Sequence, residues 1–385
     1  MNKQYDIIVC GSGMSGLSLA YRASKSGIWD NFNILIVDKD TKNKNDRTWC
    51  FWDKFTSPFE EVVFHKWDEM LFFTNGGKKK ILDNNNYSYK MIRSIDFYNH
   101  TLEYLRSQSN ITFYYDTIKS ISNKSDEVEV VTENTSFTSR YCFNSLYEQP
   151  KIKSYDTYLL QHFKGIVIQT EIPSFDLNQI HLMDFRTGQE NGNSFFYVLP
   201  TSDNTALVEY TLFSGNLLEK EVYDYKLKEY INKVLGIAKY KISGSEFGVI
   251  PMTDYQFDRF DGNIVNIGTL GGDTRGSTGY TFSNTQKTIG NIIKSFEKSG
   301  NPFYEQENIS KKHKVYDSTM LQVLADGKYK GHQLFTDMFS KVDASDIFAF
   351  LDSESNLLQD FRNIKSLSPI FFIKPFFKAI KKYYS

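Results

Sequence analysis

Residues 5–16 read Tyr5-Asp-Ile-Ile-Val-Cys-Gly-Ser-Gly-Met-Ser-Gly16, a short β-branched run that passes directly into a glycine-rich turn. Residues 7–9 are of the kind buried on both faces of a parallel sheet. Helical spacing follows over residues 17–26, and a second apolar strand over residues 33–37 ends at Asp38. This order of strand, glycine turn, helix and strand predicts the first βαβ unit of a doubly wound sheet.

The three glycines of this turn have separate physical roles. Gly11 permits the tight turn, Gly13 lets the backbone approach a pyrophosphate, and Gly16 lets helix and strand pack closely. The helix N-terminus offers free N–H groups to phosphates, and Asp38 is placed to accept hydrogen bonds from ribose hydroxyls. The spacing therefore predicts a dinucleotide site, although the fingerprint alone does not separate FAD from NAD.

A second glycine motif, Asn266-Ile-Gly-Thr-Leu-Gly-Gly272, follows a late apolar strand and precedes Gly279 and a predicted helix from Phe282. Flavoproteins of the glutathione-reductase-like class hold the ribityl and ring end of FAD with such a unit, which favours FAD. The predicted cofactor-binding glycines in this unit are Gly268, Gly271, Gly272 and Gly279. Redox flavoproteins commonly carry Gly-Asp here, whereas this chain has Gly268-Thr269.

Composition excludes several other classes of protein. The net charge of −1 over 385 residues argues against nucleic acid as a partner, because phosphate binding needs a surplus of Lys and Arg. Cys10, Cys50 and Cys142 are odd in number and widely spaced, and the six histidines lack metal-site spacing, so we expect neither disulfides nor a metal site. Without a predicted signal peptide or transmembrane span, the expected location is the cytoplasm.

The pattern of elements predicts an α/β protein with a glutathione-reductase-like Rossmann FAD-binding fold, an interleaved antiparallel-sheet substrate domain and a mostly helical C-terminal region. Neither an internal repeat nor a low-complexity linker separates these parts, so the domains are expected to interleave. The predicted ranges are residues 1–58, 91–164 and 245–300 for the FAD-binding domain, 59–90 and 165–244 for the substrate domain, and 301–385 for the helical region.

Six further motifs resemble the lycopene cyclase family, most closely its bacterial β-ring-forming branch. They follow the family's order and, with the N-terminal fingerprint, extend over nearly the whole chain. Gly276 departs from the proline that many cyclases carry at that position. The motifs are Asn45-Asp-Arg-Thr-Trp-Cys-Phe-Trp52, Met183-Asp-Phe-Arg186, Tyr197-Val-Leu-Pro200, Ala206-Leu-Val-Glu-Tyr-Thr-Leu-Phe213, Ile250-Pro-Met-Thr253 and Gly279-Tyr-Thr-Phe282.

The resemblance implies a non-redox isomerase, a lycopene β-cyclase of carotenoid biosynthesis. It implies reduced FAD, with NAD(P)H as the source of reducing equivalents, and lycopene or a related acyclic carotenoid as substrate. The family's catalytic acid is a glutamate that corresponds to Glu209, and Arg47 is a candidate cofactor contact. The alternatives are an FAD-dependent redox enzyme on the same fold (a monooxygenase or an isoprenoid reductase) and a non-catalytic carotenoid- or flavin-binding protein.

The residues around Glu209 support the same role independently. Strand alternation puts Glu209 on one face with Leu207, Thr211 and Phe213, so we expect an enclosed carboxyl group. Desolvation raises the pKa of such a group and keeps it protonated at neutral pH, as a general acid requires. The alternative is a buried glutamate that is neutralised by a neighbouring arginine.

The C-terminal stretch 369–382 mixes bulky apolar residues with four lysines, Lys374, Lys378, Lys381 and Lys382. A basic amphipathic segment of this kind can lie in the headgroup region of an anionic membrane. Because the implied substrate lives in bilayers, we expect peripheral association with a membrane surface. The alternative is a terminal helix packed on the body of the protein with its lysines in solvent. The sequence leaves the oligomeric state open.

Overall fold

The computed structural model describes residues 3–83, 85, 87–305 and 309–384. The elements of the N-terminal part are β1 (Lys3–Cys10), α1 (Met14–Lys25), β2 (Ile34–Asp38), β3 (Thr48–Asp53), β4 (His65–Trp67), β5 (Glu69–Phe73), β6 (Lys79–Leu82), β7 (Ser88–Arg93), α2 (Ser94–Arg106), β8 (Ile111–Tyr115), β9 (Ile118–Asn123), β10 (Val128–Thr132) and β11 (Ser136–Asn144). The elements that follow are β12 (Tyr158–Gln169), β13 (Gln179–Asp184), β14 (Asn193–Ser202), β15 (Thr205–Ser214), α3 (Lys220–Lys233), β16 (Lys241–Thr253), β17 (Phe260–Asp261), β18 (Ile264–Asn266), α4 (Phe282–Ser299), α5 (Lys311–Asp326), α6 (Gly331–Lys341), α7 (Ala344–Leu351), α8 (Leu357–Ser366) and α9 (Ile373–Tyr384).

The first sheet is the predicted Rossmann sheet. Its strands run in the order β18-β11-β1-β2-β8 with parallel pairing, and β17 and the β9-β10 hairpin are attached antiparallel. The central strands carry the expected apolar runs, and Ile7, Ile8 and Val9 are fully buried. Helices α1, α2 and α4 contribute to the core on one side of this sheet. The fold class that the sequence predicts is confirmed.

The second sheet is mostly antiparallel and runs in the order β16-β12-β15-β14-β13-β5-β6. A third, smaller sheet is antiparallel and has the strand order β3-β7-β4. The predicted domain boundaries at residues 164/165 and 244/245 fall inside β12 and β16. Because both strands pair along nearly their full lengths, residues 158–164 and 245–253 belong to the second sheet and not to the Rossmann sheet.

The two faces of β15 pack against different cores, as strand alternation predicts. Leu207 and Phe213 belong to the large core between the second sheet and the C-terminal helices. Val208, Tyr210 and Leu212 belong to a separate core beneath α3. The side chain of Glu209 therefore points away from α3 and towards the large core.

The C-terminal helices pack against the second sheet and the small sheet through aromatic contacts. Phe339 of α6 stacks on Phe72 at 4.8 Å between ring centroids, and Phe348 of α7 stacks on Trp52 at 5.0 Å. Within the described residues, the helices are all too short or too polar to cross a membrane.

Candidate functional site

The first glycine motif has the close backbone packing that the fingerprint predicts. Gly11 adopts a positive φ of 95°, which favours glycine, at the point where β1 turns towards α1. A Cβ atom at Gly16 would lie 2.0 Å from the carbonyl oxygen of Gly11, so a side chain at Gly16 would force the helix away from the strand. These two glycines hold the N-terminus of α1 against the end of β1.

The N-terminus of α1 is open where a phosphate would lie. A Cβ atom built on Gly13 has no other atom within 4 Å, and no side chain among the described residues caps the helix there. Its first-turn N–H groups are therefore available to an anion. Asp38 reaches this turn from the end of β2, where its carboxylate accepts hydrogen bonds from Ser12 N at 2.6 Å and Ser12 Oγ at 3.0 Å.

The second glycine motif meets the first at Gly268. A Cβ atom at Gly268 would lie 2.3 Å from the hydroxyl oxygen of Ser15, in the first turn of α1. Gly268 N donates at 2.7 Å to the buried carboxylate of Asp273, which closes the loop on itself. The two predicted glycine motifs therefore lie side by side, although nearly 250 residues separate them in the sequence.

The remaining predicted glycines fall in two different places. Gly279 lines a cavity beside Glu209, whereas Gly271 and Gly272 line a separate cavity of about 490 Å³ beyond the same loop. Arg47 is exposed at the start of β3, where its Nη1 donates to the backbone oxygens of Asp46 at 2.8 Å and Phe247 at 3.4 Å. The cofactor role of these residues stays a prediction.

Glu209 lines a cavity of about 120 Å³ between the second sheet, the small sheet and the segment that leads into α4. Aromatic and aliphatic side chains form much of the wall, together with two carboxyl groups, one amide, three threonines and the tyrosine hydroxyls. The lining residues are Thr48, Trp49, Cys50, Tyr89, Gln161, Phe163, Tyr197, Leu199, Leu207, Glu209, Glu246, Ile250, Thr278, Gly279, Tyr280, Thr281 and Phe282.

The carboxyl group of Glu209 lacks an ion-pair partner among the described residues. Its hydrogen-bond partner is the hydroxyl of Thr211, which donates to Oε1 at 2.5 Å. Burial and the charge of Glu246 together raise the pKa of Glu209 to about 8, against the opposing effect of the Thr211 hydrogen bond. Among the described residues, the arginine that the alternative interpretation needs is not in contact with Glu209, and the raised pKa favours the protonated carboxyl group at neutral pH.

Three tyrosines line the cavity, namely Tyr197 on β14 beside Glu209, Tyr89 on β7 and Tyr280 in the segment before α4. The hydroxyls of Tyr89 and Tyr280 are 3.5 Å apart, and Tyr197 lines the same space. Burial raises the pKa of each hydroxyl, so all three stay neutral. Trp52 lies against Tyr280 with ring centroids 4.2 Å apart.

Behind Tyr197 and Tyr280 a second, smaller cavity of about 40 Å³ continues towards α6 and α7. Its walls are almost entirely apolar and include Phe335, Phe339 and Phe348. Tyr197, Thr278 and Tyr280 line both cavities, so they form the wall between the space beside Glu209 and the apolar space towards α6 and α7. An apolar, aromatic lining of this kind suits an apolar ligand better than a polar one.

Two residues of the cavity, Glu246 and Gln161, could not be identified from the sequence patterns. Glu246 lies on β16, where exposed and half-buried residues alternate without a motif, and its carboxyl group accepts a hydrogen bond from Thr48 Oγ1 at 2.7 Å. Gln161 is buried on β12, and its Oε1 atom has no hydrogen-bond donor among the described residues. The pairing of β12 with β15 and β16 brings both to Glu209, and no local spacing encodes that pairing.

The C-terminal region has a large exposed apolar surface, which we call the α8–α9 surface. It comprises exposed side chains on α8, on α9 and on the turn between them, namely Leu357, Leu358, Phe361, Ile364, Ile370, Ile373 and Phe377. Lys365, Lys374, Lys378 and Lys381 are exposed on the same elements. Lys382 differs from the prediction because its ammonium group is buried in ion pairs with Asp156 at 2.7 Å and Asp254 at 2.8 Å.

Solved structures share the fold over nearly the whole chain. A geranylgeranyl bacteriochlorophyll reductase-like protein from Thermoplasma acidophilum is 12% identical with a TM-score of 0.62, covering 100% of this chain and 97% of its own. A flavoprotein/dehydrogenase from Cytophaga hutchinsonii is 13% identical with a TM-score of 0.65, covering 99% and 100%. At these identities the likeness shows the fold, which is that of flavoproteins.

Curated relatives come from carotenoid metabolism in plants. Neoxanthin synthase of Solanum tuberosum is 24% identical over 310 residues, and capsanthin/capsorubin synthase of Capsicum annuum is 24% identical over 304 residues. Each match covers 72% of this chain but only 57% of the relative. A family model described as lycopene cyclase protein matches residues 6–376, and the chain therefore belongs to the lycopene cyclase family.

Proposed function

We propose that this protein is a lycopene β-cyclase that converts the ψ-end groups of lycopene to β-rings by acid catalysis. The observation that carries the proposal is the environment of Glu209, a carboxyl group with a raised pKa and no cationic partner among the described residues, in a cavity with aromatic walls. Protonating an alkene needs an acid that is not already committed to a salt bridge. Membership of the lycopene cyclase family supports the same substrate class.

The residues of the cavity fit each step of such a reaction. Glu209 gives its proton to the terminal double bond, and the chain folds back so that the resulting cation closes the ring. Loss of a proton from the cyclised cation then forms the ring double bond, and no electrons are gained or lost overall. The faces of Trp52, Tyr197 and Tyr280 stabilise positive charge without forming a bond to it, because an aromatic ring attracts cations through its quadrupole.

The glycine motifs fit FAD as the cofactor. The open N-terminus of α1 at Gly13 suits the pyrophosphate, and Asp38 suits the adenosine ribose. The unpaired acceptor of Gln161 in the cavity suits a ring N–H donor of a reduced flavin. Bound FAD in its reduced, anionic form, with NAD(P)H as the source of electrons, supplies negative charge near the developing cation.

The α8–α9 surface fits attachment to an anionic membrane. Its apolar side chains are exposed on consecutive elements, and four lysines flank them, which is the composition of an interfacial segment. Lys382 does not contribute, because Asp156 and Asp254 neutralise it inside the protein. A carotenoid dissolved in the bilayer needs an enzyme that rests on the bilayer.

Expression in a lycopene-accumulating bacterium tests the reaction, with pigments analysed for the wild type, Glu209→Gln and Glu69→Gln. Glu69 is an exposed glutamate of the same sheet and serves as the matched control. We expect β- or γ-carotene from the wild type and Glu69→Gln, and unchanged lycopene from Glu209→Gln. Unchanged lycopene from folded, flavin-loaded wild type would overturn the proposal, and NADPH consumption in proportion to a product would favour the redox alternative.

Vesicle flotation tests the α8–α9 surface, using liposomes with and without anionic lipid. We expect the wild type to float with anionic vesicles, and a Phe361→Ser/Phe377→Ser variant to bind at least about tenfold more weakly, because each phenylalanine loses its apolar burial. Ile81→Ser removes an equally exposed apolar residue from β6 and should leave binding unchanged. Equal binding of all three proteins would contradict attachment through this surface.

A further inference from the structure

A second carboxyl group lies opposite Glu209 in the same cavity. Glu209 on β15 and Glu246 on β16 both pair with Gly165 of β12, one from each side. Residues directly opposite each other on neighbouring strands point to the same face of a sheet, so both carboxyl groups face the cavity. Adjacent strands are about 4.8 Å apart, which puts the two backbones roughly 10 Å apart across the glycine.

Gly165 leaves the space between the two carboxyl groups open. A Cβ atom there would lie 3.2 Å from Cγ and 3.4 Å from Oε1 of Glu246, and 3.0 Å from a methyl group of Leu207. The side chain of Glu246 therefore already leans over the glycine towards Glu209. Any larger residue at position 165 would push the two carboxyl groups apart.

Glu246 is also the carboxyl group nearer to solvent. It lies on the edge strand of the sheet between the exposed residues Ser245 and Phe247, and Thr48 holds its other oxygen. Burial raises the pKa of Glu246, while Thr48 and the charge of the nearby Arg47 oppose this effect. The other titratable groups that line the cavity are Cys50, Tyr89, Tyr197 and Tyr280, and burial raises the pKa of each, so they stay neutral.

We propose that Glu246 and Glu209 exchange one proton, so that Glu246 restores the acid form of Glu209 after each turnover. The inference rests on the proposed function, because a turnover here is one cyclisation of lycopene. When Glu209 has given its proton to the substrate, Glu246, which carries the negative charge of the pair, takes up a proton from solvent and passes it across Gly165 to Glu209, while the proton released by the ring goes to solvent. The pair holds the same number of protons before and after the reaction, and Glu246 acts through Glu209 as a positioning residue.

The test measures the protonation of Glu209 in two independent ways in the full-length, flavin-loaded protein. Infrared titration follows the carboxyl band that disappears in Glu209→Gln, and the pH profile of cyclisation follows the alkaline limb of activity. In Glu246→Gln we expect both midpoints to fall together by about one pH unit or more, because a neutral amide no longer repels the Glu209 charge. Glu246→Asp keeps the charge, so both midpoints should lie close to their wild-type values. The surface variant Glu69→Gln should behave as wild type.

The outcomes separate this inference from the proposed function. Unmoved midpoints in folded Glu246→Gln would overturn proton sharing, whether or not the protein cyclises lycopene. A wild type without cyclase activity would overturn the proposed function, while the infrared midpoints would still decide whether the two carboxyl groups share a proton. Lower yield of folded protein with unmoved midpoints would assign Glu246 a purely structural role.

Discussion

Two carboxyl groups of the second sheet, the buried Asp184 and the half-buried Glu209, have opposite environments. Asp184, at the end of β13, accepts hydrogen bonds from Arg186 at 2.5 Å and Tyr230 at 2.6 Å, and His181 lies 3.2 Å away. Burial alone would raise the pKa of Asp184, but these three donors outweigh burial and lower it to about 2. Glu209 has one hydroxyl donor and a second carboxyl group nearby, and its pKa rises instead.

The difference shows which carboxyl group can act as an acid. Asp184 is ionised and fixes the turn that leads to Arg186, so it stabilises the fold and has no proton to give. Glu209 retains its proton because the sheet supplies too few donors to stabilise its charge. In the proposed function, the same sheet therefore carries one carboxyl group, Asp184, that stabilises the fold and another, Glu209, that acts as the acid.

Exchanging each carboxyl group for its amide should separate the two roles most strongly. Glu209→Gln should lower the cyclisation rate at least about 100-fold with little loss of stability, because a protonated carboxyl and an amide are similar in charge and size. Asp184→Asn should lower the free energy of unfolding by about 3 kcal/mol, because Arg186 loses its charged partner, but should retain activity per folded molecule. Pigment assays and urea unfolding of both variants measure the contrast, and a large stability loss in Glu209→Gln would contradict it.

The two groups should also give opposite dependences of stability on pH. The raised pKa of Glu209 means that its contribution is full below the unfolded value of about 4.3 and is lost as the pH rises towards 8, by at most about 1.4 kcal/mol per pH unit. The lowered pKa of Asp184 means that its contribution is full above about 3.9 and is lost as the pH falls through 2. Urea unfolding from pH 3 to 8 should therefore show the free energy of unfolding of Glu209→Gln increasing relative to that of the wild type as the pH rises. The difference in this free energy between Asp184→Asn and the wild type should become smaller as the pH falls.

Of these changes, we expect the smallest effect from removing the Thr211 hydroxyl, which is the donor to Glu209 among the described residues. In Thr211→Val the carboxylate loses the hydrogen bond that favours its charged form, so the pKa of Glu209 should rise by less than about one unit. The alkaline limb of activity should move upwards by the same amount, with the rate on the acid plateau nearly unchanged. A downward shift would mean that Thr211 does not stabilise the carboxylate.

Much of the fold could be predicted from the sequence because its signals are local. The glycine spacing from Gly11 to Gly16 and the apolar run before it define one turn of chain, so they specify strand, turn and helix without distant contacts. The alternation around Glu209 likewise fixed which face of β15 it occupies, since a strand has a period of two. These features depend on backbone geometry within about ten residues.

Only the tertiary structure decided what surrounds those features. Gly165 and Glu246 reach Glu209 through the register of three strands that are far apart in sequence, and a shift of one residue would turn Glu246 to the other face. Lys382, expected on a membrane-facing surface, instead neutralises Asp156 and Asp254, because the packing of α9 on α5 carries it inwards. The sequence by itself determined the glycine motifs and the strand face of the candidate acid Glu209, whereas long-range strand pairing and helix packing determined the partners of each charge.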